Sequence, residues 1–118
     1  MTDLFIRQDV RRVAVYAARN YRKGQTVLQI EPIVWRNERD RETVEHPSGS
    51  HIYHPVLARV THSCEPTCRV SFLHRALIAL RDIGAGEAVT FDYRTTEKRL
   101  VGPLQCRCGS PSCVGRLA

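Results

Sequence analysis

A mostly β fold is what this sequence predicts, on three observations. The apolar residues fall in short runs rich in Val, Ile and Leu, such as Val27-Leu28-Gln29-Ile30 and Ala76-Leu77-Ile78-Ala79-Leu80. Turns bearing glycine or proline separate these runs at close spacing. No stretch carries a strong apolar period of about 3.6 residues, so no amphipathic helix is expected.

The first strand is read at Val13-Ala14-Val15-Tyr16-Ala17-Ala18. Arg22-Lys23-Gly24-Gln25 follows as a turn, with Gly24 suited to a positive φ. Val27 to Ile30 is a second strand, β-branched at both ends and closed by Glu31-Pro32. Ile33-Val34-Trp35 is read as its continuation past the proline. Residues 36–51 are polar and mixed in charge, with Pro47-Ser48-Gly49-Ser50 near their end. A short solvated helix or a mobile loop is expected there, a substrate-facing insert being the sharper reading.

His54 to Val60 leads into Thr61-His62-Ser63-Cys64-Glu65-Pro66-Thr67, where Pro66 fixes φ and has no N–H to donate. Val70-Ser71-Phe72-Leu73 and Ala76 to Leu80 flank His74-Arg75 with the spacing of a hairpin. Gly84-Ala85-Gly86-Glu87 is a turn similar to the one at Gly24, and each turn precedes a strand. Ala88 to Tyr93 alternates and reads as that strand. From Arg94 the chain is polar again.

A chain of 118 residues holds one domain with one modest core. No apolar run approaches the roughly 18 residues of a membrane span, and no signal peptide is read at the start. An intracellular, cytoplasmic protein with no membrane partner is expected: bacterial cytoplasm is favoured, or the nucleus in a eukaryote. The net charge of +6 comes from 18 basic residues, only Lys23 and Lys98 being lysine. It suits an anionic or acidic-flanked partner. No helix-turn-helix, paired zinc-finger helix or aromatic-rich sheet motif accompanies it, so direct nucleic-acid binding is not expected.

Five cysteines in a chain without an export signal suggest metal ligands or core thiols rather than disulfides. Cys106, Cys108 and Cys113 form C-x-C-x4-C in a tail that Gly109 and Pro111 allow to turn back. Structural zinc takes four ligands, thiolates by preference. Cys64 or Cys68 supplies the fourth on this reading, and His62 is a further candidate.

These residues together resemble a SET domain, the fold of protein lysine methyltransferases, followed by a short post-SET zinc tail. Thr61 to Cys68 resembles the family's Asn-His-Ser-Cys-x-Pro-Asn loop. Gly86-Glu87-Ala88-Val89-Thr90-Phe91-Asp92-Tyr93 resembles its Gly-Glu-Glu-hydrophobic-Thr-Phe/Tyr-Asp-Tyr strand. Cys106 to Cys113 matches the post-SET spacing, and Ala14 to Ala17 with Arg22-Lys23-Gly24 resembles the opening strand and turn. Small stand-alone bacterial members look similar. The resemblance implies small β-sheets around a pseudoknot, with the SET domain at 1–100 and the zinc-binding tail at 101–118.

The same resemblance implies methyl transfer from S-adenosyl-L-methionine to a lysine amine. Tyr93 matches the catalytic tyrosine, and Phe91 stands where the family carries Phe or Tyr. Phenylalanine there implies a product beyond monomethyl-lysine. Arg12-Val13-Ala14, Thr61, His62 and Leu117 fall where the family contacts the cofactor. Arg12-Val13-Ala14 replaces the usual Gly-x-Gly, and Thr61 and Thr67 replace two asparagines. Cys64 matches the family's zinc cysteine and joins Cys106, Cys108 and Cys113, which leaves Cys68 as a core thiol. The partner implied is a lysine-bearing protein, a basic DNA-associated protein being one such class. A catalytically weak, zinc-containing binding module is the alternative. A small zinc protein that binds nucleic acid through its arginines ranks last.

Overall fold

A computed structural model describes residues 3–8, 13–31, 34–38, 42–97, 104–105, 111, 113 and 115–117. The strands are β1 (Leu4–Gln8), β2 (Val13–Ala17), β3 (Thr26–Gln29), β4 (Val34–Arg36), β5 (Thr43–Glu45) and β6 (His51–Tyr53). They continue with β7 (Thr61–His62), β8 (Cys68–Ser71), β9 (Ala76–Ala79), β10 (Thr90–Phe91), β11 (Leu104–Gln105) and β12 (Arg116–Leu117). Among the described residues β1 pairs with β2, β9 lies between β3 and β8, and β6 lies between β4 and β5. The remaining pairs are β7 with β10, which is parallel, and β11 with β12. The expected mostly β fold of small sheets is what forms.

Ladders this short do not hold themselves. A hydrogen bond adds a net of about 0.5–1.5 kcal/mol, whereas burying a Val, Leu or Ile side chain contributes about 1.5–3 kcal/mol. Val15, Tyr21, Val60, Cys68, Leu77, Ile83 and Val89 are all below 2% exposed, and they come from β2, β8, β9 and the segments between strands. The shared core therefore fixes the sheets relative to one another. Two matching turns seal it. Gly24 and Gly86 have φ of 88° and 89°. Their amides donate to Ala79 O at 2.8 Å and Ala17 O at 2.7 Å. A Cβ at either glycine would meet nothing within 4 Å, so the requirement is the backbone angle and not space.

Four elements differ from the sequence expectation. Strand β1 precedes the strand read as the first; it carries three exposed residues, which weakened its signal. It is fixed by Phe5 stacked on Tyr16 at 5.5 Å, directly opposite in register. Val34–Arg36 does not continue β3 but starts another sheet on β6. Among the described residues of the polar stretch 36–51 there is neither a helix nor a simple loop: β5 and β6 form a hairpin whose Val44 and Ile52 enter the core. Burial of these two β-branched residues overrides the polar composition around them. The strand read over Ala88 to Tyr93 is confined to Thr90–Phe91, and Tyr93–Thr95 is a 3-10 turn. Asp92 causes that change, because its side chain accepts from the Arg94 amide and draws the backbone out of the ladder.

Candidate active site

The parallel pair β7–β10 builds the site. Thr61 lies opposite Thr90 and His62 opposite Phe91, and the Ser63 amide continues the contact to Phe91 O at 3.2 Å. Below it, Thr67 and Thr90 tie the two segments through side chain and backbone. Thr67 is buried, and its hydroxyl also lies 3.3 Å from Ala88 O as donor. Each threonine hydroxyl thus accepts from the backbone amide of the other. Sequence reasoning noted Thr67 only as a replaced asparagine and did not find Thr90.

Past Phe91 the chain turns, and the turn presents Tyr93. Asp92 accepts from the Arg94 amide at 2.9 Å and from Arg94 Nη2 at 2.6 Å, while its carbonyl accepts from Thr95. The Arg94 contact holds the Asp92 carboxyl below the usual carboxylate range. Tyr93 is half-buried. Its hydroxyl donates to Val60 O at 2.6 Å, and its amide donates to His62 Nδ1 at 3.1 Å. Burial, helped by nearby Glu97, pushes the phenol up to about 12, so it is a neutral donor at any physiological pH.

His62 has both ring nitrogens engaged. Because a backbone N–H only donates, Nδ1 is the acceptor and the ring proton sits on Nε2, which faces Cys64 Sγ at 3.4 Å. Asp92 lies 3.6 Å from Nδ1 and favours the cation, but burial and Arg94 oppose it. The net shift is below the ordinary histidine value, burial being the largest cause.

Phe91 is buried in the core, its ring 5.0 Å from that of Tyr93 and tilted by 53°. Thr61 is half-buried beside it. In β2, whose Val15 carbonyl accepts from the Val89 amide at 2.8 Å, Val13 is half-buried and Ala14 buried. The backbone of Leu117 pairs with Leu104 in the β11–β12 ladder. Arg12 lies outside the described residues.

Of the zinc candidates, Cys64 and Cys113 are half-buried, and Cys106 and Cys108 lie outside the described residues. Among the described residues no three metal-capable side chains cluster. Cys68 is 0% exposed within the apolar core, and burial raises its thiol to about 11. The boundary expected between residues 100 and 101 also lies outside the described residues. No helix among the described residues is long and apolar enough to cross a membrane.

A protein-family model described as "SET domain" matches residues 12–94. A histone-lysine N-methyltransferase, H3 lysine-4 specific, from Kluyveromyces lactis is 38% identical over 65 residues, covering 49% of this chain and 6% of that protein. The protein of the same description from Saccharomyces cerevisiae is 40% identical over 65 residues, with the same coverage of 49% and 6%. The chain thus spans only a small part of the length of these relatives. In fold it is similar to KRYPTONITE solved with mCHG DNA and SAH, with a TM-score of 0.73 at 20% identity. That match covers 96% of this chain and 28% of the other. KRYPTONITE solved with mCHH DNA, an H3(1-15) peptide and SAH gives a TM-score of 0.71 at 21% identity, covering 100% of this chain and 30% of the other. Neither comparison supports the expectation that direct nucleic-acid binding is absent.

Proposed function

The chain belongs to the SET domain family, and from that premise we propose that it transfers a methyl group from S-adenosylmethionine to the side-chain amine of a protein lysine. The observation that carries the proposal is the placement of Tyr93. A neutral phenol is held at one point by the Val60 carbonyl, and its own backbone is fixed by His62. S-adenosylmethionine, when bound, supplies an electrophilic methyl group on a sulfonium. A free lysine has a pKa of about 10.4, so on the order of one in a few thousand is neutral at pH 7. An apolar, partly buried site disfavours the ammonium and raises that fraction. Tyr93 then has to orient the amine, not to take its proton.

Phe91 offers no hydroxyl beside Tyr93, so nothing there holds a water against a methylated amine. A product beyond monomethyl-lysine follows from that reading. Val13, Ala14, Thr61 and the backbone of His62, with Arg12 and Leu117, hold the cofactor. The donors fit only in part: Ala14 puts a methyl group where the family has glycine, and Thr61 has a shorter polar reach than asparagine. Weakened cofactor affinity is the expected consequence.

A structural zinc on Cys64, Cys106, Cys108 and Cys113 completes the proposal. The four thiols suit that ion chemically. Bound there, it would crosslink the tail to the segment that leads into the site. The substrate class is a lysine-bearing protein, and the histone H3 specificity of the relatives makes a basic DNA-associated protein the first to try.

The test is incubation with labelled cofactor and a panel of lysine-rich proteins, with Tyr93→Phe as control. Label on protein that disappears in Tyr93→Phe supports the proposal. Cofactor binding by calorimetry with no transfer to any protein would favour the binding module, for which the replaced Gly-x-Gly and asparagine speak.

A further inference from the structure

His54 is assigned to neither catalysis, cofactor nor metal, yet it is buried at the entrance to the segment that builds the site. The next residue is Pro55, which has no N–H. The first amides that need acceptors are therefore those of Val56 and Leu57. Both donate to His54 Nδ1, at 3.1 Å and 3.4 Å. The His54 carbonyl accepts from the Ala58 amide at 2.9 Å, and the Val60 amide closes on Leu57 O at 3.1 Å. Leu57–Arg59 is the 3-10 turn so formed. Ser, Thr, Asp and Asn are the usual side chains for such a capping task. Here an imidazole does it, with its ring proton on Nε2. Leu57 and Val60 are buried, so a Leu57 amide that lost its acceptor could not turn to water.

The turn ends at Val60, whose carbonyl holds the Tyr93 hydroxyl at 2.6 Å. We propose that His54 is a positioning residue for methyl transfer: its Nδ1 fixes the turn, the turn fixes the Val60 carbonyl, and that carbonyl fixes the Tyr93 hydroxyl. The inference rests on Tyr93 being the catalytic tyrosine. It assigns His54 no contact with substrate or cofactor.

The test compares wild type, His54→Asn and His54→Leu in the full chain. Asparagine keeps an oxygen that accepts from the same amides, and leucine keeps only bulk. Tyrosines carry 13C at Cζ, and the Tyr93 signal is assigned by its loss in Tyr93→Phe. In His54→Leu, kcat is expected to fall by about tenfold or more while the cofactor KM stays within about twofold. The Tyr93 Cζ signal at neutral pH shifts in the same variant, and His54→Asn restores both readouts. A His54→Leu protein that only melts earlier, with the wild-type kcat and Tyr93 signal, overturns the inference.

If His54→Leu does not fold, the wild-type imidazole decides. A long-range 1H–15N spectrum must show the proton on Nε2, and a proton on Nδ1 overturns the link. A wild type inert towards every lysine protein would instead sink the catalytic reading of Tyr93. The Cζ comparison would still report whether His54 governs the Tyr93 hydroxyl.

Discussion

Thr67 and Thr90 exchange side-chain-to-backbone hydrogen bonds: the Thr67 amide donates to Thr90 Oγ1 and the Thr90 amide to Thr67 Oγ1, each at 3.0 Å. The exchange pins β10 to the end of the 61–67 segment, three residues before Tyr93. Valine at position 67 matches the shape but leaves the Thr90 amide without its acceptor. Thr67→Val should therefore cost about 1–3 kcal/mol of stability. Thr67→Ser, which keeps the hydroxyl, should cost less. Urea unfolding of the two variants checks this, and equal midpoints would show that the exchange is not what holds the segment.

Phe91→Tyr adds a hydroxyl beside Tyr93. The product of a prolonged reaction should move toward monomethyl-lysine, as read by mass spectrometry of the modified protein. Because Phe91 is 3% exposed, the variant also needs a melting curve, to separate a product shift from loss of fold. A wild type that yields only monomethyl-lysine at long times would refute the reading of Phe91.

The two cysteines near the centre of the chain should behave oppositely. Cys64→Ser is expected to lose zinc and Cys68→Ser to keep it, by metal analysis of purified protein. Cys68→Ser should instead lose stability by about 1–3 kcal/mol, since it places a hydroxyl in an apolar, fully buried position. The reverse metal pattern would move the ligand to Cys68.

Acid should weaken the fold before carboxylates titrate. Burial holds both His54 and His62 below the ordinary histidine value, so the unfolded chain takes up their protons first. That contribution is complete above about pH 6.5 and is lost as the pH falls below it. Asp92, lowered by Arg94, adds a second loss only as the pH falls through and below the ordinary range of about 3.9. Urea midpoints between pH 4 and 8 should therefore decline from about pH 6.5 downward. His54→Asn should lessen that upper part and leave the share of His62, and an unchanged profile would count against the neutral, accepting ring of His54.

Much of the site was legible because its residues carry chemistry in their side chains. Tyr93, His62 and Cys64 stand out in any polar segment, and their order along the chain resembled one family. What escaped was the geometry that side-chain identity does not announce. The threonine exchange needs two residues that only the parallel pairing brings together. The capping by His54 depends on a proline that removes a donor, and histidine is not a usual cap. The β5–β6 hairpin escaped for a different reason: its burial is decided by Val44 and Ile52, two residues among many polar ones.

The parallel pairing of β7 with β10 also sets an order of events in folding. His62 meets Tyr93 across 31 positions, and Val60 meets it across 33. Closing a loop of that length costs about 3 kcal/mol of chain entropy before either contact forms. During synthesis, Val60 O and His62 Nδ1 have no Tyr93 to meet until that residue has been added. The half-made chain holds the hairpin β8–β9 but no competent centre. A fragment ending before residue 90 would therefore have neither Tyr93 nor the strand that carries it.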